Sequence, residues 1–480
     1  MLAAIVIFQF SFFGLRYFNV VDDNNQLGIF HLLNDNISEN VIHRYQSYNV
    51  RPLAFISDAY IFQLFWNHMY LLLAIILVLH VCNLFFIDKI GEKIGIHLNA
   101  FCLALFGLAP ILVESLYWIS ASTRIVFSMF LCLASIYLLL QYFDEENKTK
   151  RIAFLAGAIL LNLLCVGYYE QTVALNLFLF VFVLILLKKY KYLWIPVVST
   201  TWIGIWYIYF MANGQMQSRG ALNLKGIFGN GIQLIKNVHI IYKNGWSNFI
   251  YSLGFGGDSI LSTPLSILLF ALIAGFIYYI YKNKFAMDQN SSVWKKLALG
   301  AIIFVVPLLP FLILETGAIY VRNMYFSTLG LAIIIGTLLD LILKLVKNET
   351  VCNIIKTALI LIFTVPFVIS NLDGANNYRK VNALDNKVAS QIIENVDSNI
   401  FEEKKSIAIY YDVDSLPKYK NLSNYVESTI ESDWATAGKL QVMRQNPGIG
   451  SIYINSNEEI ADVTVYFDEN MDLISVIYHN

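Results

Sequence analysis

Where the first apolar run of the chain ends, the sequence reads FNVVDDNNQL over residues 18–27, placing two carboxylates, Asp22 and Asp23, side by side among amides with no lysine near them. Adjacent acids at such a point suit one of two purposes. They can accept a proton in a reaction at the membrane edge, or they can cap a helix, since Asp favours helix starts. Three further short segments carry an acid, an arginine or both at the end of an apolar run: VESLYWISASTR with Glu114 and Arg124, GYYEQ with Glu170, and LETGAIYVRN with Glu315 and Arg322. Arg51 stands before Pro52 in a fourth. A charge at the bilayer centre costs about 2.5–3.5 kcal/mol, so such residues persist where they pair or face water. As a set they point to one polar cavity, although any single one, Glu170 for instance, could equally snorkel to the headgroups.

The elements that must position these residues are membrane helices. Of 480 residues, 57% are hydrophobic, 15% aromatic and 14% charged, and the mean hydropathy is +0.59, which excludes a water-soluble protein of this length. Runs long enough to cross about 30 Å of hydrocarbon occur near 2–20, 67–87, 98–113, 119–142, 152–169, 171–187, 192–212, 262–281, 297–314, 323–343 and 354–371, predicting about 11 spans. The first has no basic region before Arg16 and no small-residue cleavage site after it, so it reads as a retained span. With a cytoplasmic amino terminus, five short inner loops hold 15 Lys and Arg, including Lys148-Thr-Lys150-Arg151, and the longer outer segments hold eight. That bias is the positive-inside pattern. It places the acids and arginines named above on the outer side and, with an odd number of spans, the C-terminal segment too.

Two outer loops are long, 21–66 and 213–261. The first contains RPLAFISDAYIFQLFW, in which Pro52 suits a first helical turn; the second is glycine-rich around an amphipathic stretch bearing Ile232, Ile235, His239 and Tyr242, and suits a mobile cover. From Leu372 onward the composition turns acidic, with nine Lys and Arg against 17 Asp and Glu, while the rest has 24 against 17. A helical segment there precedes the strand-like runs SIAIYY, GSIYIN, DVTVYF and LISVIY. The expected architecture is an all-α polytopic membrane core over 1–371 and a small α/β or α+β soluble domain over 372–480, outside the membrane.

Other chemistries find no support. The five cysteines fall in or beside apolar runs with no CxxC pair, the histidines lack metal-ligand spacing, and His80 reads as a packed or hydrogen-bonded histidine within a span. There is no Walker loop, no Rossmann glycine fingerprint and no candidate serine, histidine and aspartate set.

Several segments together resemble the GT-C superfamily of multi-span glycosyltransferases that use polyprenyl-phosphate-linked sugars. The first outer loop with Asp22-Asp23 resembles its acidic motif. NVRPLAFISDAYIFQLFWNHMYLLLAIILVLHVCNLFF and FGLAPILVESLYWISASTRIVFSMFLCLASIYLLL resemble the R-P, L-H-x-x-N and P-x-x-V-E-x-x-x-W-x-x-x-x-x-R patterns of the O-mannosyltransferase-like branch, and YVRNMYFSTLGLAIIIG is similar to its late segment. The likeness covers most of residues 15–345 and not the C-terminal segment, where eukaryotic members carry helical repeats instead.

The resemblance implies a hexosyltransferase of GT-C type that moves a sugar from a polyprenyl-phosphate donor to an extracytoplasmic glycan, lipid or protein of the cell envelope with inversion, in a bacterial plasma membrane. Asp22 or Asp23 would take the acceptor's proton, and Arg51, Arg124 and Arg322 would engage the donor phosphate, to which a planar guanidinium fork is suited. Glu114, Glu170 and Glu315 would support them. No cofactor is required, and a divalent metal among the acids is possible. Three other readings compete. A transporter or flippase of lipid-linked sugars wants ionisable residues at the midplane. A glycan polymerase or ligase differs in transferring a chain, and a non-catalytic envelope scaffold would tolerate replacement of the Asp and Arg positions.

Overall fold

A computed structural model describes residues 1–10, 16–32, 49–61, 64–65, 68–214, 226–253, 264–282, 292–314, 319–411, 428–446, 448–456 and 461–479. Glu315 and parts of both long outer loops lie outside them. The helices in chain order are α1 (Leu2–Phe10), α2 (Val21–Leu32), α3 (Pro52–Tyr60), α4 (Met69–Lys93), α5 (Ala100–Leu108), α6 (Val113–Tyr117), α7 (Ile119–Asp144), α8 (Lys148–Cys165), α9 (Glu170–Leu186), α10 (Trp194–Ala212), α11 (Ile227–Leu253), α12 (Pro264–Lys282), α13 (Val293–Val305), α14 (Pro310–Ile313), α15 (Tyr325–Leu343), α16 (Glu349–Asn395), α17 (Ser398–Glu402) and α18 (Asp433–Arg444).

Six helical stretches among the described residues are long and apolar enough to cross a membrane, or seven if the bent pair α5 and Pro110–Tyr117 forms one span. The core is therefore that of an integral membrane protein, with fewer qualifying helices than the eleven apolar runs suggest. Apolarity and helix length are separate properties. The nine residues of α1 rise only about 14 Å at 1.5 Å each. The run at 98–113 breaks at Ala109-Pro110 with a 43° bend, because Pro110 lacks an N–H to continue the helix. Helix α9 has 17 residues, and α8 spends its first turn on Lys148, Lys150 and Arg151.

Broken helices leave backbone carbonyls that lipid cannot satisfy, and here amide side chains supply the missing donors. Asn371 Nδ2 of α16 donates to Leu108 O at 2.9 Å and to Gln9 Oε1 at 3.0 Å. Gln171 Nε2 of α9 donates to Pro307 O and Asn323 O, both at 3.0 Å. Asn230 Nδ2 of α11 donates to Leu312 O and Leu314 O, both at 3.1 Å. His80, fully buried, meets Tyr325 Oη at 2.8 Å. On α11 the inward positions are Leu234, Val238, Ile241 and Tyr242, while Ile232, Ile235 and His239 are exposed. The face expected from sequence is therefore divided between protein and surroundings.

Helix α16 runs for 47 residues, about 70 Å at 1.5 Å each, so the shift to acidic composition at Leu372 falls inside one helix. Beyond it, β1 (Ile407–Tyr410), β2 (Ile452–Ile454), β3 (Val463–Phe467) and β4 (Leu473–Tyr478) form a sheet of order β2-β1-β3-β4. Strand β1 is parallel to both neighbours, with Ile407 opposite Ile452 and Val463, and β4 runs antiparallel to β3. Val388, Ala389 and Ile392 of α16 pack on Ile407, Ile409, Val463 and Val465 with Leu440 of α18, a core separate from that of the membrane helices.

Candidate active site

The second half of the pair of acids is turned inward. Asp23 is fully buried: its Oδ1 accepts from Ser120 N at 2.9 Å and its Oδ2 from Val20 N at 3.4 Å and from the Tyr17 hydroxyl. Because Tyr17 Oη also accepts from Ile119 N at 3.2 Å, these bonds tie the start of α2 to the start of α7. Burial pushes the Asp23 carboxyl up to about 7, against the lowering by its hydrogen-bond donors. Asp22, one residue earlier and so about 100° away around the helix, is half-buried and lines a cavity of about 160 Å³.

That cavity collects Asp22, Arg51, Ser120, Arg124, Tyr169, Glu170, Tyr320, Arg322 and Asn323, with Phe311 and Leu314 forming an apolar wall. Five residues singled out by sequence thus meet at one pocket although they span positions 22 to 322. Each arginine has an acidic partner. Arg51, at the N-cap of α3, forms a two-pronged pair with Glu170, Nε to Oε2 at 2.7 Å and Nη2 to Oε1 at 2.6 Å, and lies 4.3 Å over the Tyr169 ring. Burial opposes the Arg51 charge, and the Glu170 carboxylate more than offsets it, holding its pKa above the ordinary value.

Arg322 Nη1 donates to Glu114 Oε1 at 2.6 Å, and its guanidinium lies 4.4 Å from both the Trp118 and Tyr320 ring centres. Ser115 Oγ fixes the Arg322 backbone through its carbonyl at 3.0 Å. Asp22 acts electrostatically on both Arg322 and Glu114. Arg124 Nη2 donates to Asp58 Oδ2 at 2.9 Å, while its buried Nε has no hydrogen-bond partner among the described residues.

Asp58 did not figure in the sequence reading, yet a signal existed. It follows Arg51 by seven residues, two helical turns, so both project from one side of α3. Ser120 contributes its backbone N–H and Tyr169 the face of its ring, neither of which leaves a mark in sequence. No group of three or more His, Cys, Asp or Glu among the described residues is placed to hold a metal ion.

No family model matches the chain and no curated protein does. Among solved structures it is similar to ArnT from Cupriavidus metallidurans bound to undecaprenyl phosphate, at 12% identity and a TM-score of 0.40, over 97% of this chain and 92% of that one. A likeness that distant adds no constraint on the site.

Proposed function

We propose that the chain is a membrane glycosyltransferase of GT-C type, transferring a sugar from a polyprenyl-phosphate donor to a hydroxyl of an envelope acceptor on the outer side. The observation that carries the reading is the pocket in which Asp22 stands among Arg51, Arg124 and Arg322. Its lining brings together three arginines, side chains whose planar guanidinium groups suit the oxygens of a phosphodiester donor.

In this scheme Asp22 accepts the proton of the acceptor hydroxyl as its oxygen attacks the anomeric carbon. The bond from that carbon to the phosphate oxygen breaks, and polyprenyl phosphate leaves with one additional negative charge. A single displacement of this kind inverts the anomeric configuration. Arg124 and Arg322 stabilise the leaving phosphate, Arg124 with the Nε that has no hydrogen-bond partner among the described residues and Arg322 from its seat between two rings. Arg51, whose fork Glu170 occupies, contributes charge and holds the wall. Asp23, whose oxygens accept from Ser120 N of α7 and from Val20 N and the Tyr17 hydroxyl just before α2, orients α2. Glu114 supports Arg322, and Glu315 remains a supporting acid by sequence alone.

The test is Asp22→Asn in protein confirmed to be inserted at normal levels. It keeps size and hydrogen bonding, so turnover falls by about 10²–10⁴-fold if Asp22 is the base. Near-normal transfer would remove Asp22 from that role and make Glu114 the next candidate. Mass analysis of envelope glycans with and without the gene separates the alternatives: loss of a single sugar supports a transferase, and shortened polymers support a polymerase.

A further inference from the structure

The first turn of α2 is gripped from a second side by the C-terminal part of the chain. Helix α18 crosses α2 at Gly438, where a Cβ would come within 2.7 Å of Asn25 Cα, 2.8 Å of Asn25 N and 3.0 Å of Asn24 C. No side chain fits between two backbones that close. Beside the crossing, Asn24 Nδ2 donates to Thr429 Oγ1 at 3.0 Å, and both residues are fully buried. Thr429 is itself anchored, its N donating to Asp385 Oδ2 of α16 at 3.1 Å and its carbonyl accepting from Thr436 Oγ1 of α18 at 2.9 Å. On the other side of Asp22 in sequence, Asn382 Nδ2 of α16 donates to Asn19 O at 2.8 Å.

Residues 19, 24 and 25 are thus held by 382, 429 and 438, and Asp22 lies between the held points. Asp23 ties the same turn to α7. We infer that the C-terminal unit is a built-in part of the active site, with Gly438 and Thr429 acting as positioning residues that set Asp22 at the pocket. The inference rests on the reading of Asp22 as base. It follows that the C-terminal unit and the pocket share one side of the membrane, and that the unit acts on the chemical step rather than on donor capture, since none of its described residues lines the cavity.

The experiment uses the full chain in lipid nanodiscs and compares wild type with Gly438→Ala, Thr429→Val and Thr429→Ser. Hydrogen exchange of the 21–26 amides reads the grip, and transfer from a set of polyprenyl-phosphoryl hexoses to envelope extract reads kcat and donor KM. Gly438→Ala forces the helices apart, and Thr429→Val loses the Asn24 bond at nearly constant shape. Both should speed exchange in 21–26 while leaving the β1–β3 amides protected. Both should lower kcat by about 10–10²-fold, as displacement of a reacting group does, with donor KM within about twofold. Thr429→Ser keeps the hydroxyl and should restore both readouts. Unchanged exchange in Gly438→Ala and Thr429→Val overturns the inference, as does faster exchange with unchanged kcat. Wild-type protein inert toward every donor sinks the transferase reading instead, and the exchange data then decide by themselves whether the C-terminal unit holds α2.

Discussion

The pair between Arg51 and Glu170 gives a quantitative test of how the pocket wall is built. Both nitrogens of the fork are engaged at 2.6–2.7 Å, and the side chains are 21% and 13% exposed. Removing one partner of a buried pair costs about 3–5 kcal/mol, because the other charge stays behind without compensation. With about a fifth of Arg51 reached by water, the lower end applies, about 3 kcal/mol for Glu170→Ala or Arg51→Ala alone. Tyr169 stacking survives in the first case and is lost in the second, which adds about 0.5–1 kcal/mol to the Arg51 variant. The double variant should be no worse than the more damaging single one. Reversible unfolding in mixed detergent micelles, run as a double-mutant cycle, should therefore give a coupling of at least about 3 kcal/mol. Additive single effects, with coupling under about 0.5 kcal/mol, would refute the claim that the pair is a structural unit. Donor binding measured alongside checks its division of labour: tighter binding in Glu170→Gln would mean that the freed Arg51 engages the phosphate directly.

Three further outcomes are expected. Arg322→Lys keeps the charge and loses the fork, so it should raise donor KM, though less than Arg322→Ala does; a lysine variant with wild-type donor KM in a titration would remove bidentate recognition there. Asp23, whose folded pKa is raised from 3.8 to about 7 by burial, binds a proton more tightly folded than unfolded, so its contribution to stability is full below about pH 4 and is lost as pH rises towards 7. Asp23→Asn should flatten that part of the stability profile, and an unchanged slope would assign the proton elsewhere. Protease added to intact spheroplasts should cut after Leu372 while a tag within 282–296 stays protected; protection of the C-terminal part would reverse the assignment of the pocket to the outer side.

Apolar run lengths, the lysine bias and the clustering of acids and arginines at run ends were all legible in the sequence, because each depends on the partition of single residues between lipid and water. So were Pro52 at the start of α3 and the four strand-like runs, which depend on local backbone preference. The Asp22, Arg51, Arg124, Glu170 and Arg322 set could be named from the same signal, but not their pairing. Whether Glu170 answers Arg51 or Arg124 depends on how α9 seats against α3, and Asp58 takes Arg124 only because α3 and α7 lie together. Tertiary structure also separated the roles of two adjacent aspartates. One position along a helix turns a side chain by about 100°, which sends Asp22 to the cavity and Asp23 into a dry seat supplied by Tyr17 and Ser120, residues far apart in sequence. The closure of α18 on α2 lay furthest from view, since a glycine 413 residues beyond Asn25 has no local pattern to announce it: close helix approach is a property of two backbones, and sequence records only that one position lacks a side chain.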